Sequence, residues 1–170
     1  DKERENNFHQ GFEKELLKKM KLGVRYILEN NLLEGVKKIK GAGFGLTPSG
    51  DDFIAGLLFG LYILEKIYSL NLKEIREEIY NISKSNNIIS NTFLYLAKEG
   101  SFFKKLKELV LSLLYSGEKE IFMNTKKLMN MGATSGSDLA TGLLITLREL
   151  KKISYEFKRE VEINLKVISK

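Results

Sequence analysis

The sequence predicts a mainly α, compact helical domain, and three observations lead there. Apolar residues recur at helical spacing, as in Phe8, Phe12, Leu16 and Met20, which step by four along one face. With 170 residues, 43% of them hydrophobic, the chain can bury one core. A motif in which a loop becomes an apolar helix is written twice, residues 49–58 recurring as 135–144. From position 49 to 61, seven of thirteen residues repeat at an offset of 86. Chance gives about one, at roughly one match in fifteen for average residue usage. The repeat predicts a pseudo-two-fold that relates two Gly-rich-loop/helix units.

The elements follow in order. The first helix carries Phe8 to Met20, and residues 24–39 continue as helix, broken near Asn30-Asn31. Gly41-Ala42-Gly43-Phe44-Gly45 is a loop, because three glycines in five residues cost too much backbone entropy for a stable helix. Thr47 reads as an N-cap and Pro48, the chain's only proline, as the first helical residue. The helix they open runs to about residue 69. Residues 72–83 are amphipathic, with Leu72, Ile75, Ile79 and Ile82 apolar. Residues 86–99 form the next helix, which Gly100 ends. Ser101 caps 102–115, Gly117 breaks the pattern again, and 118–130 is helical and basic. Gly132-Ala133-Thr134-Ser135-Gly136 is the second loop, with Thr134 or Ser135 as N-cap of a helix reaching about residue 150. In the tail, Ile153, Tyr155, Phe157, Val161, Ile163, Leu165 and Val167 alternate at period 2. That spacing predicts an extended or hairpin β-like segment over 151–170, turning near Lys158-Arg159-Glu160 and packed on a single helical domain of residues 1–150.

Composition narrows the function. The absence of cysteine removes disulfides, thiolate metal sites and Cys nucleophiles. His9, the only histidine, lies far from either motif, so nucleophile–histidine catalysis is excluded. The charged start shows no signal peptide. The longest apolar run, 53–64, is too short to span a bilayer, which leads to a cytoplasmic expectation with no membrane partner. The net charge is +6, but the lysines sit beside glutamates on amphipathic helices, so no nucleic-acid partner is expected. Lys37, Lys38, Lys40, Lys126 and Lys127 read as solvated faces, since their spacing to the two motifs differs.

The chemistry resides in the two motifs. Each places small polar residues and an aspartate at a helix N-terminus, where unpaired N–H groups and the positive dipole end favour an anion. The candidate ligand-binding residues are Gly43, Gly45, Thr47, Ser49, Gly50, Asp51 and Asp52 in the first motif. In the second they are Thr134, Ser135, Gly136 and Asp138. Asp52 and Asp138 are the repeated pair, and where the helix starts meet they would suit Mg²⁺ or a polar ligand. Gly56 and Gly142 inside the helices predict a close helix crossing.

Residues 41–56, Gly-Ala-Gly-Phe-Gly-Leu-Thr-Pro-Ser-Gly-Asp-Asp-Phe-Ile-Ala-Gly, resemble the signature of the AllH-like family. Residues 134–142 are similar to that family's second signature, and Ser90, Leu94, Ala97 and Gly100 match the stretch between. The chain departs at Thr134 and Ser137, where the family has serine and often an aromatic residue. The resemblance covers about residues 10–150. It implies a subunit of a carbamoyltransferase-type enzyme related to oxamate carbamoyltransferase. It also implies a small anionic ligand such as oxamate or carbamoyl phosphate, and other enzyme subunits as partners, with a homo-oligomer open. Family members carry an N-terminal β-rich region not seen here, so the chain is expected to be a fragment or a compact relative. Two other readings stand beside it. One is a non-catalytic helical interaction module whose glycines serve packing. The other is a Mg²⁺-dependent hydrolase like the ADP-ribosylglycohydrolases, whose second acidic cluster this sequence lacks.

Overall fold

A computed structural model of the protein describes residues 11–150. The first ten residues and the tail from 151 lie outside the described residues, and so does the expected β-like segment. Among the described residues eight α-helices form one mainly α domain: α1 (Gly11–Leu28), α2 (Leu32–Ile39), α3 (Ser49–Tyr68), α4 (Lys73–Ser83), α5 (Ile88–Lys98), α6 (Lys104–Tyr115), α7 (Glu118–Met129) and α8 (Ser135–Ile145). A π-helical turn, Thr146–Leu150, extends α8. Among the described residues there is no strand, and no helix is long and apolar enough to cross a membrane.

The helix ends explain most boundaries. The expected break near Asn30-Asn31 is a Schellman closure. Asn30 turns left-handed at φ 64, its N–H bonds to the Ile27 carbonyl, and Asn31 bonds to Tyr26. The α5 terminus closes the same way, with Gly100 at φ 72 bonded to Ala97 and Ser101 bonded to Leu96. Ser101 is therefore not the cap of α6. Its amide belongs to the preceding helix, and Phe103 takes the N-cap position. Thr47 is likewise not the N-cap of α3. Pro48 is extended at φ −59, ψ 146, and its carbonyl accepts from Asp51 and Asp52 at 2.9 and 3.0 Å, so the cap moves one residue on.

The core is built around α3. Every residue from Ser49 to Leu61 is buried, with Ile54, Leu57, Leu58 and Phe59 fully so. A helix that is apolar all round must be covered all round, and α3 packs against α4, α5 and α8. From α5 it receives Ser90, Leu94 and Ala97, all 0% exposed and on one face. Phe59 stacks on Phe102 with ring centroids 4.9 Å apart.

The tightest approach is between α3 and α8. A β-carbon on Gly56 would overlap the Leu139 carbonyl, and one on Gly142 would overlap the Phe53 carbonyl. These contacts exchange under the 86-residue offset, since 53 corresponds to 139 and 56 to 142. Further along, Gly60 lies against Thr146, again 86 residues on. Ser49 meets Thr134 at the other end. The two helices therefore lie side by side in the same direction, with both N-termini at one end.

Gly56→Ala and Gly142→Ala should each destabilise the fold by about 1–3 kcal/mol, because the obstructing atoms are rigid backbone. Gly11→Ala, with nothing near its β-carbon, should be neutral or stabilise by up to about 1 kcal/mol. Urea unfolding midpoints of the three variants measure the difference.

Candidate functional site

The loops ahead of α3 and α8 are made alike. Ala42 N–H bonds to the Ile39 carbonyl at 3.0 Å, and the Ala42 carbonyl accepts from Gly50 at 2.8 Å. In the second unit Met131 N–H bonds to Leu128 at 3.0 Å, and its carbonyl accepts from Gly136 at 2.9 Å. A side chain at Gly50 would overlap the Ile39 carbonyl, and one at Gly136 the Leu128 carbonyl, so each helix start is pressed onto the end of an earlier helix. Between equivalent bonds the first loop is longer. Its extra length is taken up by Gly43 and Gly45, at φ 116 and 105, and by the exposed Phe44 and Leu46.

The two helix starts converge. Ser49 Oγ lies 3.3 Å from Thr134 Oγ1. Neither N-cap residue, Pro48 or Thr134, offers a side-chain cap. The amides of Gly50, Asp51, Asp52, Gly136 and Asp138 bond to backbone carbonyls. Among the described residues no such carbonyl outside the helices accepts from Ser49, Ser135 or Ser137.

The three aspartates take different places. Asp51, 1% exposed, accepts from the Gly41 amide at 2.7 Å and from the Ser90 hydroxyl. It clasps the glycine loop to α5. Asp52, also 1% exposed, accepts from Thr47 Oγ1 at 3.1 Å. Burial pushes its carboxyl up to about 6, against hydrogen bonds from Ser135 and Thr47, with the charges of Asp138 and Asp51 adding to the rise. Asp138 is buried on α8. Asp52, Ser135 and Asp138 thus interact across the helix pair.

This place opens on a cleft of about 820 Å³ whose lining includes Ser49, Thr134, Ser137 and Asp138. Phe53 and Ala140 give it an apolar floor, and α1 forms the far wall. Gly43, Gly45, Thr47, Gly50, Asp51, Asp52, Ser135 and Gly136 are not part of this lining, and Gly43 borders a second cleft with Ala42 and Phe44. The sequence reading missed three contributors. Ser137 projects from the start of α8. Asn87 caps α5 by accepting from the Ser90 amide at 3.1 Å and ties down the loop by donating to the Leu46 carbonyl at 2.8 Å. Its signal was an asparagine three residues before Ser90. The α1 wall had no signal, because it comes from a distant segment.

An all-protein Mg²⁺ site does not fit here. Among the described residues no three acidic or histidine groups come together to hold an ion, and Asp51 is committed to Gly41 and Ser90.

Two measurements check these assignments. Asp51→Asn should cost about 1–3 kcal/mol, because the amide opposes donors with an NH₂ group. Asp52→Asn should behave differently with pH. A carboxyl raised from 3.8 to about 6 binds its proton more tightly in the folded state. Its stabilising contribution is full below about pH 4 and is lost as pH rises through 6. The melting temperature of Asp52→Asn relative to wild type should therefore climb between pH 4 and pH 7.

The chain matches a family model described as oxamate carbamoyltransferase subunit AllH over residues 39–147. No solved structure matches. The match begins at the end of α2 and runs through both glycine loops, both aspartate motifs and the α5 face that holds Ser90. The protein belongs to the family of oxamate carbamoyltransferase subunit AllH.

Proposed function

We propose that this chain is a subunit of a carbamoyltransferase-type enzyme and binds a small carboxylate or phosphate where α3 and α8 begin. The observation that carries the reading is the 3.3 Å approach of Ser49 and Thr134, residues 85 apart in sequence, at the mouth of the cleft. We read the reciprocal contacts of Gly56 and Gly142 as a pseudo-two-fold that brings together two helix starts without side-chain caps.

The mixed chemistry of the place favours a carbamoyl compound over a bare anion. Amides at helix starts stabilise negative oxygen. Buried carboxylates instead accept hydrogen bonds, and Asp52 and Asp138 suit an –NH₂ group. Oxamate and carbamoyl phosphate carry both groups on one small molecule. Carbamoyl transfer needs no covalent nucleophile. It needs the reacting groups held together and the developing charge on oxygen stabilised, which is positioning and electrostatics. Ser49, Thr134, Ser135 and Ser137 would hold the oxygens, and Asp52 and Asp138 would orient the nitrogen. Partner subunits would complete the enzyme, so binding is the appropriate readout for this chain.

Calorimetric titration with oxamate, carbamoyl phosphate and phosphate, each with and without Mg²⁺, tests the reading. Carbamoyl phosphate and oxamate should bind, phosphate more weakly, and Mg²⁺ should change little. Asp52→Asn and Asp138→Asn should abolish binding and leave the protein folded. No binding by wild type, or small and equal effects of Asp51→Asn, Asp52→Asn and Asp138→Asn, would leave a packing module without a ligand.

A further inference from the structure

We infer that α1 supplies the cationic wall of this site, with Arg25 as the residue that receives the ligand's anionic group and Lys21 beside it. The inference rests on the ligand site proposed above and adds what that site lacks. Each helix N-terminus offers about half an elementary charge, so the two together contribute about +1. Against this stand the carboxylates of Asp52 and Asp138, with Asp51 just behind them. An anion approaching these groups alone meets little net attraction.

The cleft provides the missing charge. Lys21 and Arg25 are the lysine and arginine among its described lining residues, and both come from α1. They are spaced i, i+4, on one face of that helix. Ser49, Thr134, Ser137 and Asp138 also line the cleft. Arg25 is exposed, and among the described residues its guanidinium has no ion pair or hydrogen bond. Arg25 differs in this from Lys18, Lys37, Arg76 and Lys98, which pair with Glu15, Glu34, Glu65 and Glu77. A guanidinium presents a planar fork of donors that matches a carboxylate or phosphate edge, a geometry an ammonium does not offer. The ligand class is therefore a small planar carboxylate or an acyl phosphate with an amide-like end, its anionic group toward α1 and its nitrogen toward Asp138, which lines the cleft. α1 lies outside the matched residues 39–147, so this wall is a part of the site that the family match does not describe.

The test is calorimetric titration of the full chain with oxamate and with carbamoyl phosphate at two ionic strengths. It compares wild type, Arg25→Gln, Arg25→Lys, Lys21→Gln and Asp138→Asn. Arg25→Gln should weaken binding about ten- to hundred-fold, the range for a charge-assisted hydrogen bond. Arg25→Lys should recover only part, and the loss should shrink at high salt. The melting temperature without ligand should be unchanged, since the side chain is exposed. Wild-type affinity in Arg25→Gln, with binding lost in Asp138→Asn, would overturn the α1 wall and leave the ligand site standing. Full recovery by Arg25→Lys would overturn the forked contact. Failure of wild type to bind either compound would remove the ligand site, and this inference with it.

Discussion

The contact of backbone on backbone between α3 and α8 is the constraint on which the rest of the structure depends. At Gly56 and Gly142 each helix occupies the space where the other would need a side chain. An approach this close fixes both the distance and the register of the pair. Register then decides the function of the ends. Because Gly56 lies against Leu139 and Leu143 and Gly60 against Thr146, position 49 must arrive beside 134. A slip of one turn, about 5.4 Å, would separate the two helix starts and leave two ordinary capped helices. The glycines in mid-helix therefore hold a place at the helix ends, several residues away.

A second feature separates this place from routine capping. An aspartate in the first turn of a helix is usually favoured in its charged form by the dipole and by amide hydrogen bonds. Asp52 goes the other way, because burial outweighs the hydroxyls of Ser135 and Thr47. The fold thus holds a carboxyl that costs stability at neutral pH, beside another buried aspartate. Asp51, one residue earlier, shows what a structural aspartate looks like here, with its oxygens committed to Gly41 and Ser90. Neighbours in sequence point in different directions on a helix, and that geometry alone divides the two into a clasp and a proposed site residue. Groups held at such a cost concentrate where chemistry needs them.

Much of this was legible in the residues. Helical periodicity and glycine breaks located seven of the eight described helices to within a few residues, while α1 runs on unbroken past Met20 to Leu28. The mid-helix glycines predicted a close crossing, and the offset of 86 predicted which helices would cross. Two boundaries were misread for one reason. Thr47 and Ser101 are good capping residues by type, but a carbonyl at Pro48 and a Schellman closure at Gly100 decided the ends instead. Local propensity names the candidates for a cap, and backbone hydrogen bonding chooses among them. The role of Asp51 was not legible either. Its partners are Gly41, ten residues away, and Ser90, on a helix that only the packed fold brings near.

The division between shared and particular parts follows from the same geometry. The two motif helices, the loops ahead of them and α5 pack as one unit, with Asp51 clasping the first loop to Ser90. The family match covers that unit from Ile39 to Leu147. The cleft, however, is closed on its far side by α1, which packs on α2 and lies outside the match. A wall that contacts the unit mainly through one short helix can change its residues without disturbing the crossing of α3 and α8. On the function proposed above, the helix pair would hold a common chemical group, and the facing helix would choose what that group is attached to.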